Sequence, residues 1–555
     1  MRDPLASLST LGTPQSRPLP GREADQVQNA AGGYSFKLDV WRRLEDFVIL
    51  GTAGGTYYVD ATALTVENAG VVQDAITLDG PRAVAVAEAV STVRPPRAPS
   101  NRGALFIVAA AFAWGDPATR QAAKAALPRV ARTTDHLATW FGYYKQLCGL
   151  SSGRAGKLRP RTFRSLRTAL AHPFVHEDVE ALAYRACKAM QRRTPQGEEF
   201  HLRDVMRLAH PVADSPQRAA LFGWIAGNVA DADARTMIRR VDDFLVAQAA
   251  TSVRETRNMI GTRDVPWEFL PDRWLTEPEV WDALIDTVGV TALLRNLGRM
   301  TRLGTLAPLN DAVRRVIARI TDSGELAAAR IHPMGIYLTL AAYKAGRTSA
   351  RPGKQPQYWR PVPAVCDALE EAWELSYGHT EPSGRRLLIA VDGSSSMSWD
   401  QVLAGGTPIG TSYQVACTMA AIMMRIERGH AHVIEVTTRM QPSKVSARTS
   451  LAEIQGWRPH GGGTDLSVPF TWATSERVEA DGVLVLTDNE SWAGKLHASQ
   501  ALAEYRRRIS PAARLVVATL NATGVSIGDP RDPGVLNVAG LDVSLPALAT
   551  EFMRP

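Results

Sequence analysis

The sequence predicts a two-part molecule: an all-α N-terminal region of stacked helical hairpins, then an α/β domain with a doubly wound, Rossmann-like sheet. Three observations predict it. At 555 residues the chain is too long for a single hydrophobic core. From about Tyr34 to Tyr377, apolar residues recur at spacings of three and four, with breaks at Pro, Gly, Asp or Ser clusters. From Glu381 onward, short apolar runs of strand length alternate with amphipathic helical runs. That alternation marks a parallel sheet covered by helices on both faces.

Residues 1–32 are rich in Pro, Gly, Ser and Gln and read as a flexible N-terminal arm. Residues 33–380 form the helical region. Helices are expected at Ala104–Ala113, Thr119–Leu127, Val179–Gln191, Ser215–Val229, Arg235–Gln248, Pro278–Thr287, Asp311–Ile320 and Ala364–Leu375. Roughly a dozen helices with hardly any strand signal suggest a solenoid-like architecture, although no fixed-period repeat is visible. Residues 381–555 form the α/β domain. Its strands are expected at Arg386–Asp392, His432–Thr438, Gly482–Asp488 and Arg514–Leu520, and its helices at Tyr413–Glu427, Ser467–Glu476 and Lys495–Arg508.

Hydrophobic residues make up 45% of the chain and charged residues 21%, as in ordinary globular proteins and unlike disordered or fibrous ones. The first twenty residues hold no apolar h-region, and no apolar run is long enough to span a bilayer. Cys148, Cys187, Cys366 and Cys417 form no CxxC pair and read as buried small hydrophobes in a reducing compartment. The expected location is the cytoplasm, away from membranes. The chain carries 63 Lys+Arg and 56 Asp+Glu, of which residues 381–555 hold 16 and 17. The basic excess therefore lies wholly in residues 1–380. It permits nucleic-acid binding without establishing it.

The chemistry concentrates in three segments of the α/β domain: LLIAVDGSSSM (Leu387–Met397), GGGTD (Gly461–Asp465) and VLVLTDNE (Val483–Glu490). Two apolar strands end in Asp392 and Asp488, with hydroxyl side chains beside them. In open α/β sheets, ligands sit outside the C-terminal strand ends. Oxygen-only donors suit Mg²⁺ or Ca²⁺ rather than zinc or copper. Alone, Asp392, Ser394 and Ser396 read equally as a turn whose side chains cap the next helix.

Together the three segments resemble the metal-ion-dependent adhesion site of von Willebrand factor A domains. The resemblance implies one divalent cation, Mg²⁺ first, held directly or through water by Asp392, Ser394, Ser396, Thr464 and Asp488. Mg²⁺ keeps several waters, so a site with only one or two carboxylates stays open to an acidic ligand. Asp465 and Glu490 read as outer-sphere or exposed acids.

The remaining segments resemble one family, the Ro RNA-binding proteins with their TROVE module. The likeness rests on QVQNAAGGYSF (Gln26–Phe36), LGTAGGTYYVD (Leu50–Asp60), TALLRNLGRMT (Thr291–Thr301) and RIHPMGIYLTLAAYKAG (Arg330–Gly346). EPSGRRLLIAVDGSSSM (Glu381–Met397) and GGGTDLSVPFTWA (Gly461–Ala473) extend it. The family implies a monomeric ring of HEAT-like helical repeats closed by the A domain. It also implies small noncoding Y RNAs on the ring's outer surface, single-stranded 3′ ends of misfolded RNAs in its hole, and in some bacterial relatives a 3′ exoribonuclease tethered through the RNA.

Lys188 and Arg192 stand four apart on an expected helix and so share a face, and His210 ends the next one. With Arg193 they resemble the family's Y RNA contact region, except that Ala189 replaces an aromatic and TPQGEEF lengthens the loop. As bare residues Lys188, Arg192 and Arg193 read as a solvated helix end favoured by the macrodipole, and His210 as a helix C-terminal cation. Arg295, Arg299, Arg302, Lys344 and Arg347 form a second basic set, suited to phosphates lining a hole or to intramolecular salt bridges. Tyr57 and Tyr58 read as packing residues rather than base-stacking ones.

The leading expectation is a noncatalytic RNA-binding scaffold for RNA quality control. A metal-dependent ribonuclease using Asp392, Asp488 and Glu490 is a second reading, although no general base is evident nearby. A metal-dependent adhesion module partnering an ATPase is a third.

Overall fold

The computed structural model describes residues 12–50, 70–92, 101–148, 165–191, 202–348, 355–377, 381–399, 401–404, 407–520, 525–539 and 545–554. Arg192, Arg193, Tyr57 and Tyr58 lie outside the described residues. The chain divides into two compact units, one built from described residues between 47 and 318, the other from 12–46 and 319–554.

Among the described residues the first unit is all-α. Its most buried helix is Arg102–Trp114, apolar all round and fully enclosed from Gly103 to Ala111. It packs against the helices Gly70–Thr92 and Thr134–Leu147. Local chemistry sets the helix ends. Thr133 caps Thr134–Leu147 by accepting from the His136 N–H, and Asp116 caps Pro117–Val130 through Thr119. Pro216–Ala226 starts with Ser215 as cap and proline at its first turn, and stops at Gly227 in the left-handed region (φ 83°). The expected single helix over 235–248 is two, Asp231–Met237 and Arg239–Ala249. The chain extends at Ile238 (φ −133°, ψ 108°), which buries that side chain to 1% exposure. Core demand there overrides continuous helical periodicity.

The second unit holds the strands, labelled in chain order. β1 is Gln26–Gln28, β2 Tyr34–Lys37, β3 Leu387–Asp392, β4 Gln401–Ala404, β5 Thr407–Thr411 and β6 Ala431–Val436. β7 is Met440–Pro442, β8 Gly482–Thr487, β9 Arg514–Thr519, β10 Val525–Ser526 and β11 Val535–Ala539. The central sheet runs β11-β9-β8-β3-β6-β7, parallel except for β7, which returns antiparallel on β6. Every residue of β3 and β8 is buried, as central strands covered on both faces require. One face packs Leu388, Ala390, Val483, Val485 and Val517 against Phe470, Leu502 and Tyr505. The helix Ser412–Ile426 is buried along nearly its whole length and begins with a Thr411/Gln414 capping box.

From β3 the chain crosses to β6 on one side and later returns to β8 on the other. The strand order therefore reverses at β3, which opens a crevice beyond its C-terminal end.

The expectation of a flexible arm over 1–32 does not describe residues 12–32. β1 pairs with β2, and β2 pairs with β10 of the α/β domain. The Arg22 guanidinium forks onto Asp529 at 2.7 and 2.9 Å, and His497 Nε2 lies 2.7 Å from the Arg17 carbonyl. The partners are roughly five hundred residues away, and local Pro and Gly content carries no trace of so distant a pairing. Residues 1–11 lie outside the described residues.

The compact units divide at 318/319, while the expected boundary at 380 marks the change from helices to the α/β strands. Pro333–Lys344 and Pro363–Leu375 are helices, as expected, but pack with the α/β domain. Tyr337 donates its hydroxyl to the Ile409 carbonyl at 2.5 Å, and the Arg425 guanidinium sits 4.2 Å from the Trp373 ring centroid. Tyr337→Phe is expected to lower unfolding stability by about 1 kcal/mol, the net value of one buried hydrogen bond. Urea melts check it, and an unchanged midpoint would show that this bond does not fasten the helix.

Candidate functional site

Asp392 ends β3 at the switch point and is fully buried, and Asp488 follows β8 next to it at 5% exposure. Asp392 Oδ1 accepts from the Ser394 N–H at 2.9 Å, and Oδ2 accepts from the Thr487 hydroxyl at 2.6 Å. The Ser394 and Ser396 hydroxyls stand 3.1 Å apart. The glycine loop is stitched onto this turn: Gly461 N–H donates to the Gly393 carbonyl at 2.9 Å, and Gly462 N–H to Ser395 Oγ at 2.9 Å. Gly461 and Gly462 adopt φ of 82° and 97°, a conformation glycine takes without penalty. Thr464 follows at 2% exposure, and its carbonyl accepts from the N–H groups of Trp492 and Ala493.

The fold thus gathers the segments carrying Asp392, Ser394, Ser396, Thr464 and Asp488 at one end of the sheet. Burial, followed by the neighbouring Asp488 charge, pushes the Asp392 carboxyl up from its ordinary 3.8 to about 7. Neither carboxylate has a Lys or Arg partner among the described residues. Two enclosed acids without a counter-ion, beside hydroxyls, fit a hard divalent cation with oxygen ligands. No group of three or more His, Cys, Asp or Glu converges among the described residues, so the donor set differs from a zinc site or a carboxylate-rich two-metal site.

Asp465 turns away from that role: its Oδ1 accepts from the Ser467 hydroxyl at 2.6 Å and from the Ser467 backbone N–H at 3.0 Å. Glu490 is half-buried, with its carboxyl pushed up by burial and by Asp488. Three further residues support the site, of which only Thr487 stood out in the sequence. Thr487 orients Asp392, and Ser395 ties the two loops together. His460 Nδ1 lies 2.8 Å from the fully buried Glu435 carboxylate, anchoring the start of the glycine loop on β6. Thr487 was legible as the residue before Asp488; the His460–Glu435 pair was not.

The anticipated RNA-contact residues fall on both units. In the first, Lys188 lies in the last turn of Val179–Gln191 with its ammonium 5.6 Å from the Tyr184 ring centroid. His210 is exposed just past Leu202–Ala209, in a left-handed conformation (φ 46°). Arg295, Arg299 and Arg302 are carried on Val290–Leu303, with Arg299 5.6 Å from the Trp281 ring centroid. In the second unit Lys344 pairs with Glu370 at 2.8 Å, the salt-bridge alternative, while Arg347 is exposed. Among the described residues, Lys188, Arg295, Arg302 and Arg347 make no ion pair.

Residues 386–553 match the family model described as the Ro60 vWA domain, and residues 246–360 match the TROVE domain model. A Deinococcus radiodurans protein named RNA-binding protein RO60 is 33% identical over 558 residues, covering 100% of this chain and 99% of its own. A Caenorhabditis elegans protein of the same name is 25% identical, covering 95% of this chain and 90% of its own. The crystal structure of the Deinococcus radiodurans Ro protein superposes with a TM-score of 0.71 at 33% identity, covering 93% of this chain and 99% of that one.

Proposed function

Because this chain belongs to the Ro family of RNA-binding proteins, we propose that it is a noncatalytic RNA-binding scaffold whose A domain carries a divalent-cation docking site. The observation that carries this reading is the end-to-end likeness to a relative named as an RNA-binding protein, across both the helical and the α/β regions. The cations Lys188, Arg295, Arg302 and Arg347, which make no ion pair among the described residues, support it, since phosphate contacts need charges not already neutralised internally. In the fuller form, a small noncoding Y RNA lies on the outside of a monomeric helical ring in the cytoplasm. Single-stranded 3′ ends of misfolded RNAs enter the ring's hole, and a 3′ exoribonuclease is recruited through the RNA.

At the A domain, Asp392, Ser394, Ser396, Thr464 and Asp488 would hold Mg²⁺. The ion, when bound, supplies a positive charge with an open position for an acidic group of a partner. The chain's own residues prepare that position: Thr487 and the Ser394 N–H fix the Asp392 carboxylate, and Ser395 locks the glycine loop that presents Thr464.

Sequencing the RNA that co-purifies with the intact protein tests the scaffold reading. A dominant small RNA with a stem and internal loop is the expected result, and random fragments alone would count against it. Combined Lys188→Ala and Arg295→Ala substitutions are expected to weaken binding of structured RNA and to flatten its salt dependence by about 0.9 per lost phosphate contact. Incubation of the purified protein with labelled single-stranded RNA and Mg²⁺ addresses the ribonuclease alternative. Intact RNA is expected; cleavage abolished by Asp392→Ala would replace the scaffold with an enzyme.

A further inference from the structure

Between the helices Arg102–Trp114, Pro117–Val130 and Thr134–Leu147 lies a cavity of about 310 Å³, lined by none of the RNA-contact residues discussed above. One wall is aromatic. The Phe112 ring lies 5.5 Å from Tyr144, and Tyr144 stacks on the buried Trp140 at 5.7 Å and 10°. Phe112 is only half-buried, so part of its ring borders the cavity instead of the core.

The rim is cationic. Arg120 and Lys124 stand four residues apart on Pro117–Val130 and therefore project from one face. Neither makes an ion pair with any described residue. Asp116, four residues before Arg120, caps the helix, accepting from the Thr119 N–H at 2.7 Å, and feels the Arg120 charge only as a minor influence. Gln121 and Ser165 add neutral hydrogen-bonding groups to the lining.

An aromatic wall beside unpaired cations matches two chemistries of one ligand, a flat ring and an anion. An apolar ligand would leave both cations unused, and an acidic peptide would leave the ring wall unused. Nucleic-acid bases stack on aromatic side chains while the backbone lies against basic residues. The volume is near the lower end of ligand sites, roughly 300–1,000 Å³, which favours one splayed nucleotide over a duplex.

We propose that this cavity is a subsite for one nucleotide of single-stranded RNA, its base against Phe112 and Tyr144 and its phosphate against Arg120 and Lys124. The proposal rests on the RNA-binding reading above and adds to it a place where a single strand is gripped by stacking as well as charge.

Fluorescence anisotropy of labelled oligouridine on the full-length protein, across a salt series, tests it. Arg120→Ala with Lys124→Ala is expected to lower the slope of log K against log salt by about 0.7, the share of one single-strand phosphate. Phe112→Leu keeps an apolar side chain while removing the ring, and is expected to weaken binding about tenfold. If Phe112→Leu disturbs packing, the double substitution on the rim still decides the question.

Wild-type protein that binds oligouridine, with variants that match it in affinity and slope, would overturn the subsite while leaving the RNA reading intact. Wild-type protein that binds no oligouridine at all would overturn the subsite together with the single-strand part of the RNA reading. Variants that lose a glutamate-rich peptide but not oligouridine would reassign the cavity to a protein partner.

Discussion

Gly33→Val is expected to destabilise the unit containing the α/β domain by about 3 kcal/mol or more, through forced separation of two backbone segments. A Cβ at position 33 would stand 2.0 Å from the Ser491 carbonyl oxygen and 2.7 Å from Trp492 Cα. Both obstacles are main chain, so no rotamer change relieves the clash. The N-terminal segment must lift away instead. That would strain the Asn29 Nδ2 bond to the Ser491 carbonyl (2.8 Å) and the Gln15 N–H bond to the Gly494 carbonyl (3.2 Å). It would also loosen β2 from β10. Gly32, the preceding residue, adopts a φ of 92° and meets only the end of the Gln28 side chain, so its requirement is conformational rather than steric. Thermal melts of the full-length protein check the prediction, with limited proteolysis of the N-terminal segment as a second readout. A Gly33→Val protein that melts with wild type would show that the close approach is not needed.

Asp392→Asn is expected to act in opposite directions with and without divalent cation. The wild-type carboxyl is raised from its ordinary 3.8 to about 7, by burial and then by Asp488. Below the lower value both folded and unfolded chains hold the proton, and ionisation costs nothing. Between the two values only the unfolded chain ionises readily, so metal-free stability falls as pH rises, by about 1.4 kcal/mol for each pH unit. Above the upper value the full cost is present. The asparagine variant escapes it, and in EDTA at about pH 8 should be a few kcal/mol more stable than wild type, with the gap closing at about pH 4.

Millimolar Mg²⁺ should reverse that order. Wild type gains about 1.4 kcal/mol for each tenfold excess of cation over its dissociation constant, and the variant gains little. Paired melts in EDTA and in Mg²⁺ at both pH values measure the difference. A wild-type protein indifferent to Mg²⁺ at both would sink the metal proposal.

How far the fold was legible in the sequence depended on how local each signal was. The strands ending in Asp392 and Thr487, and the helices Val179–Gln191 and Asp311–Ile320, announce themselves because their apolar residues repeat at the period of their own backbone. The antiparallel return of β7, the hairpin of β4 and β5, and the pairing of β2 with β10 did not, being short strands whose partners define them. The break at Ile238 was hidden for the opposite reason: its neighbours keep helical spacing while tertiary packing claims the side chain.

The candidate cation site was legible to the same degree. Asp392, Ser394, Ser396 and Asp488 stand at strand ends, where residue type and position suffice to suggest hard-ligand chemistry. The parts that hold the site rigid were not. Ser395 acts on the glycine loop and His460 on Glu435, partners far away in sequence that give no periodic sign of each other. Lys344 shows the converse, a plausible RNA contact by composition that the fold pairs with Glu370.

By itself, the sequence determined the two-part division into helical and α/β regions, the strand ends that carry the acids, and the family. The first two follow from order and period along the chain, and the family from the resemblance of particular motifs such as Thr291–Thr301. Only the tertiary structure decided that residues 12–37 belong to the α/β unit and that Gly33 must lack a side chain. It alone exposed Phe112, Tyr144, Arg120 and Lys124 as one cavity. Such features depend on which distant segments share space, and that is settled by packing and long-range hydrogen bonding.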